Sequence, residues 1–307
     1  MATYKYFMLP TFAETKFKKM KKILVTGATG ILGNSVIGTL LRHIPANHIN
    51  IITRKEEKRV EFQSKGFNAH LGNYNDIIAL EKAMDGIETV LLISAGDQGD
   101  RMQEHRNVID TAKKMGVKNI AYTSRALQNR TTLVNSLMLD HFETEDYIKK
   151  SGLNFIIFRN ALYMDVVPLF VGKEVFEKGI FQPAGNGKVS FALRQEQGEA
   201  MANVLINEAF DNQTYKFTGQ EAYSFYDVAI ALTELSGKEV KYTSVEVDAF
   251  DKIMKQKGMP IPVIKKIIDF NLNIKNGQEE EITQDLKNKL GRNPTSLKNG
   301  LKVLFNL

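Results

Sequence analysis

The chain has 307 residues, 43% of them hydrophobic and 25% charged, with a formal net charge of +6. That length suits about two domains with a substantial apolar core. The composition excludes a disordered tail and a collagen-like chain. The absence of cysteine excludes disulfides, thiolate catalysis, iron–sulfur clusters and cysteine-based zinc sites.

The basic surplus, 41 lysines and arginines against 35 acids, is small for this length. It fits an ordinary solvated surface. No basic recognition helix stands out, so no nucleic-acid partner is expected. A cysteine-free chain suits a reducing compartment, and a cytoplasmic location is the expectation. No apolar run approaches the roughly 18 residues needed to span a bilayer. Residues 1–20 read as an N-terminal extension. They have Pro10 in the middle and lack the apolar core and cleavage site of a secretory signal. The basic run Lys16 to Lys22 reads as a solvated leader to the first strand.

From Lys22 the chain alternates short apolar runs with helical patterns. Strands are expected at Lys22–Thr26, His48–Thr53, Asn68–Leu71, Thr89–Ser94, Lys118–Thr123 and Asn154–Arg159. Helices are expected between them, at Ile31–Leu41, Lys55–Lys65, Asp76–Met84, His105–Met115 and Leu139–Lys150. Near-continuous apolar strands alternating with helices predict a doubly wound parallel sheet of Rossmann type. Beyond Ala161 the spacing predicts a helix over Phe170–Phe181, a turn at Pro183–Gly187 and a helix over Glu196–Ala209. A strand follows at Tyr215–Thr218, a Ser-capped helix at Ser224–Ser236 and a strand at Val240–Val245. The remainder reads as mostly helical, with breaks at Pro260 and Pro262 and caps at Thr295 and Ser296. The expected organisation is a dinucleotide-binding domain over residues 21–160. Residues 161–307 form a smaller, mainly substrate-binding lobe with segments returning to the sheet.

The sharpest motif is Gly27-Ala28-Thr29-Gly30-Ile31-Leu32-Gly33, which follows a strand and opens a helix. Gly27 permits the tight turn, Gly30 lets the backbone approach a pyrophosphate, and Gly33 permits close packing of helix on sheet. Free N–H groups of Thr29 to Gly33 and the helix dipole then favour a diphosphate. No Walker lysine follows, which excludes an ATP P-loop. After the second strand an acid would bind an NAD ribose, but this chain has Thr53-Arg54-Lys55. Arg54 can fork onto a 2′-phosphate, and Lys55 or Lys58 can add charge. NADP(H) is therefore expected over NAD(H).

Six strings, the glycine motif among them, stand in order along the chain. They are His105-Arg106-Asn107-Val108-Ile109, Ala121-Tyr122-Thr123-Ser124, His141-Phe142-Glu143-Thr144-Glu145 and Arg159-Asn160-Ala161-Leu162-Tyr163, with Gly27-Ala28-Thr29-Gly30 before them and Ala184-Gly185-Asn186-Gly187-Lys188 after. On these residues the chain resembles the atypical short-chain dehydrogenase/reductases of the NmrA-like branch, and within it the NADPH-dependent quinone reductases and triphenylmethane reductases. The resemblance covers most of residues 22–307. It implies an adenine end near Gly72, Asn73 and Tyr74. It implies a ribose and pyrophosphate lining at Ile93, Ser94 and Ala95, with Thr123 and Ser124 beside the nicotinamide. Asn160, Ala161 and Tyr163 would face the ring and the substrate.

The chain departs from the family where dehydrogenases use Tyr-x-x-x-Lys to protonate a carbonyl oxygen. His141 stands in the tyrosine place and Glu145 in the lysine place. Ordinary ketone chemistry is thereby disfavoured. A quinone or similar conjugated aromatic acceptor needs that acid less, because hydride addition produces a stabilised phenolate. His141, Asn160 and Tyr163 are the expected catalytic residues, with His141 orienting substrate or donating a proton near neutral pH. Phe142 and Tyr163 are the expected aromatic wall. Two alternatives stand beside this reading: a non-catalytic NADP(H)-sensing regulator, and a reductase or epimerase of sugar nucleotides or other carbonyls. No metal and no flavin are expected, and a monomer or a homodimer is equally compatible. His105 reads as packing within its helix, and Glu279-Glu280-Glu281 as a solvated charged face.

Overall fold

The structure, a computed structural model, describes residues 22–96, 99–133, 135–172 and 174–307. The expected N-terminal extension and most of the basic run lie outside the described residues. The strands β1 (Ile23–Val25), β2 (Ile49–Thr53), β3 (Asn68–Leu71), β4 (Thr89–Leu92), β5 (Asn119–Arg125) and β6 (Asn154–Asn160) build the sheet. Between them run the helices α1 (Ile31–Leu40), α2 (Glu56–Ser64), α3 (Ile77–Met84), α4 (Arg101–Lys114) and α5 (Ser136–Ser151). Asp76, Asp100 and Asn135 cap α3, α4 and α5 through their side chains, so α4 and α5 each begin about one turn earlier than their apolar periodicity suggests.

The second half supplies α6 (Val167–Val171), α7 (Val175–Lys178), β7 (Ile180–Gln182), α8 (Arg194–Asn207) and β8 (Gln213–Phe217). It continues with α9 (Phe225–Ser236), β9 (Tyr242–Ser244), α10 (Val247–Gln256), α11 (Ile261–Lys275), α12 (Asp285–Leu290) and α13 (Leu297–Leu304). The large sheet has the order β3-β2-β1-β4-β5-β6-β8, and every pairing is parallel. β7 and β9 form a separate parallel pair. The order reverses between β1 and β4, which places the ligand crevice of a doubly wound sheet at the ends of those strands.

One face of the sheet carries Val25, Leu91, Ala121 and Phe158, packed under α1 and α8. The other carries Leu24, Val90, Ile120 and Tyr122, packed under α3 and α4. A third core, with Leu162, Val189, Phe225 and Leu301, belongs to the C-terminal lobe. β8 and α8 come from that half of the chain but complete the sheet.

The single helix expected over Phe170–Phe181 is a correction. The segment is α6, α7 and then β7. Gly172 and Gly179 interrupt it with φ of 81° and 73°, in the left-handed region that ends helices.

Candidate functional site

The glycine turn fits a diphosphate. Gly27 has φ 60°. A Cβ on Gly33 would collide with the Gly27 carbonyl oxygen, so helix and turn approach as only glycine allows. No side chain caps α1, whose N-cap is Gly30, and its first N–H groups are left for an anion. Behind the turn, Thr26 Oγ1 accepts the Ile93 N–H at 2.9 Å and donates to the Leu91 carbonyl at 3.1 Å. The Tyr74 hydroxyl lies 2.6 Å from Thr26 Oγ1 and 2.8 Å from the Ile93 carbonyl. Tyr74 thus braces the ends of β1 and β4 from the loop after β3, rather than offering its hydroxyl to a ligand. Burial pushes its pKa up.

Around the adenine end, the Gly72 N–H donates to the Thr53 carbonyl at 2.9 Å, and Asn73 Oδ1 accepts the Asn75 N–H at 2.8 Å. Asn107 of α4 donates to the Tyr74 carbonyl at 3.0 Å, which holds this loop down. Arg54 is exposed just past β2 and forms no ion pair among the described residues. Lys58 instead donates to Glu61 at 2.6 Å, one turn along its own helix.

The strand ends beside it form one hydrogen-bonded rim. Thr123 Oγ1 accepts the Ser94 N–H at 2.9 Å. The Ala95 N–H donates to His105 Nε2 at 2.9 Å, which puts the imidazole proton on Nδ1, 2.8 Å from Thr144 Oγ1. Burial, with Arg101 nearby, holds the His105 pKa down at about 3. His105 therefore does more than pack in its helix. It fixes a backbone N–H at the mouth of β4.

The place of the family's Tyr and Lys is filled by a closed polar network. His141 is 5% exposed. Its Nδ1 is 2.9 Å from the Tyr122 hydroxyl and its Nε2 is 3.4 Å from Arg101 Nη1. A guanidinium only donates, so Nε2 presents its lone pair to Arg101. Burial, then Arg101, Arg125 and His105, hold its pKa well below the ordinary imidazole value. The expected proton donation by His141 near neutral pH is thus corrected: the ring is neutral and engaged. Glu145 is also buried. It accepts from Ser124 Oγ at 2.6 Å and from the Arg159 fork at 2.9 and 2.6 Å. The one Ser124 hydroxyl proton is committed to a carboxylate and is not available to a carbonyl substrate.

Phe142 is a second correction. It is buried beside Leu127 and Met138, with Phe270 of α11 against that cluster and the Arg159 guanidinium 5.2 Å from its ring centroid. It closes a small core instead of standing as an open wall. Tyr163 lies past the end of β6, half-buried, with the Arg194 guanidinium carbon 4.5 Å from its ring centroid. Burial raises its pKa against the opposing pull of Arg125 and Arg194. Asn160 is fully buried, and neither polar atom of its carboxamide has a well-formed hydrogen bond, although the Tyr163 hydroxyl is near enough to feel it.

The acidic run Glu279-Glu280-Glu281 is a third correction, since only Glu280 is exposed. Glu279 is 1% exposed, and both its oxygens accept from Arg125 Nη2, at 2.6 and 2.7 Å. Burial raises its pKa, opposed by Arg125. Glu281 pairs with Lys216. Gln278 accepts the Gln128 and Asn129 N–H groups through its backbone and side-chain oxygens. Residues 278–283 therefore form a strap from the C-terminal lobe across the ends of β5, β6 and β8. Among the described residues no group of three or more His, Asp or Glu is arranged to hold a metal ion, and no helix is long and apolar enough to cross a membrane.

Fold and crevice together define an NAD(P)H-dependent oxidoreductase of Rossmann type. The model of the NmrA-like family matches residues 19–301, and the chain belongs to that family. It is 33% identical over 286 residues to quinone oxidoreductase 2 of Escherichia coli (strain K12), covering 93% of this chain and 99% of that protein. The crystal structure of that NADPH-dependent enzyme complexed with NADPH superposes with a TM-score of 0.84 over 92% of this chain and all of the other. Citrobacter sp. triphenylmethane reductase complexed with NADP(H) is 31% identical, with a TM-score of 0.84 over 92% of this chain and 99% of that one.

Proposed function

We propose that the protein is an NADPH-dependent reductase that transfers a hydride directly to a quinone or a related conjugated aromatic acceptor. The observation that carries this reading is the closed network at Ser124, His141 and Glu145. A ketone reductase needs a hydroxyl that donates to the substrate oxygen, and here Ser124 donates to Glu145 while His141 is neutral and buried. That network speaks against the carbonyl and sugar-nucleotide alternative. The bound nicotinamide supplies the hydride, and an acceptor whose adduct is a phenolate can draw its proton from water. The protein's contribution is then positioning.

In this reading the turn from Gly27 to Gly33 binds the diphosphate, with Thr29, Gly30, Ile31 and Leu32 offering N–H groups. Arg54 meets the 2′-phosphate, and Gly72 and Asn73 flank the adenine. The rim Ile93, Ser94, Ala95, Thr123 and Ser124 carries the ribose and nicotinamide, and Asn160 and Tyr163 border the acceptor. Residues 21–160 bind mainly the dinucleotide and residues 161–307 mainly the acceptor. The NADPH and NADP(H) complexes of the two relatives support the cofactor, and their names support an aromatic acceptor.

The test is to mix the protein with NADPH and a panel of benzoquinones and naphthoquinones and follow nicotinamide absorbance. Turnover above the uncatalysed rate, faster with NADPH than with NADH, is expected. Tight NADP binding with no turnover across the panel would overturn the enzymatic reading. It would favour an NADP(H) sensor, which the same absence of a free proton donor also suits.

A further inference from the structure

We infer that Arg194 is an anion-binding residue of the crevice, reaching from the C-terminal lobe to a phosphate, sulfonate or carboxylate of the bound ligands. The inference rests on the crevice being the dinucleotide site. Arg194 is the first residue of α8, and its N–H donates to Asp165 Oδ2 at 2.9 Å. Its guanidinium lies over the Tyr163 ring. Among the described residues it forms no ion pair, whereas Arg59, Arg125, Arg130, Arg159 and Arg292 each meet a carboxylate. A half-buried guanidinium without a counterion is costly, because burial strips water from the charge. Stacking on a tyrosine face fixes the plane of the group and leaves its in-plane donors free. Such a fork matches two oxygens of an anion.

Its place in the fold supplies the anion. The first turns of α8 pack on the first turns of α1: Ser35 Oγ donates to the Gln195 carbonyl at 2.5 Å, and Gly198 lies against Ser35 and Leu32. Arg194 thus stands between the opening of α1 and the residue past β6. The turn Gly27–Gly33 carries no cationic side chain of its own. Near Tyr163, the Asn160 carboxamide and Gln197 Oε1 are further buried polar groups without a well-formed protein hydrogen bond. Two ligands bring an anion to this place: the cofactor through its diphosphate, and an acceptor through an acidic substituent.

The experiment compares the wild type with Arg194→Gln and Arg194→Lys, after checking that unfolding midpoints agree. NADP+ affinity is titrated. KM is measured for a neutral naphthoquinone and for its 2-sulfonate, with calorimetric binding of the sulfonate to NADP-loaded protein in place of KM if nothing turns over. Loss of a charge-assisted fork should weaken one anionic ligand by roughly tenfold or more, with partial recovery in the lysine variant. Weaker NADP+ binding with both quinones unaffected identifies the diphosphate. A raised KM for the sulfonate alone identifies the acceptor. Unchanged affinity for both anions overturns the inference. A wild type that binds no NADP+ overturns the dinucleotide reading and this inference with it, and is distinguishable because it needs no variant.

Discussion

At the residue scale, side chains at the strand ends work by holding backbone and one another in place. His105 secures Ala95, Asn107 secures the loop at Tyr74, and Thr123 secures Ser94. Gly33→Ala should be among the most damaging small changes, because its methyl meets backbone atoms of Gly27 and Ala28 that have nowhere to move. We expect a loss of about 1–3 kcal/mol in stability together with weakened NADP binding, read by urea unfolding and by fluorescence titration. Arg54→Asp should raise the KM for NADPH at least tenfold more than that for NADH, since a carboxylate repels only the 2′-phosphate. Equal effects on the two cofactors would remove Arg54 from the phosphate site. Gly27 and Gly33 were legible because turn chemistry is a local property. His105 was not, because its partner is a backbone N–H ten residues upstream. Glu279 was misread because its arginine lies 154 residues away along the chain.

At the scale of elements, the strap and the α1–α8 contact join the two halves of the chain. The strap is anchored by a buried ion pair, so removing one partner strands the other charge. Glu279→Ala should cost about 3–5 kcal/mol, while replacing Glu279 and Arg125 together by Leu and Met should cost much less. Chemical denaturation of the two variants beside the wild type checks this. If the single and double changes cost the same, Arg125 is hydrated rather than stranded. Gly198→Val should push α8 off Ser35 and Leu32, lowering the melting temperature and loosening cofactor binding together. The strands β1 to β6 were readable as apolar runs between turns. The pairing of β7 with β9 was not, because these three-residue strands carry too little periodicity to fix a register, and two left-handed glycines broke a helix whose apolar pattern was otherwise intact.

At the scale of the whole molecule, two buried neutral imidazoles make stability depend on pH. Unfolded histidines take up protons as pH falls through about 6.5, while folded His105 does so only near about 3 and folded His141 well below the ordinary value. The unfolded state therefore binds more protons over that window, and stability is lost on acidification. Between about pH 7 and about pH 5.5 the pair should lose about 2–3 kcal/mol. Urea unfolding at the two pH values measures it, and a flat profile would mean that at least one ring is already protonated in the folded state.

The return of the chain to its sheet at β8 also has a consequence for synthesis. On the ribosome, β1 to β6 emerge first, and residues 161–212 must follow before β8 can pair with β6. Until then the β6 edge, with Ile156, Ile157 and Phe158, is an unpaired apolar strand offered to any other nascent chain. Truncation before residue 213 should therefore yield an aggregating fragment rather than a smaller nucleotide-binding domain.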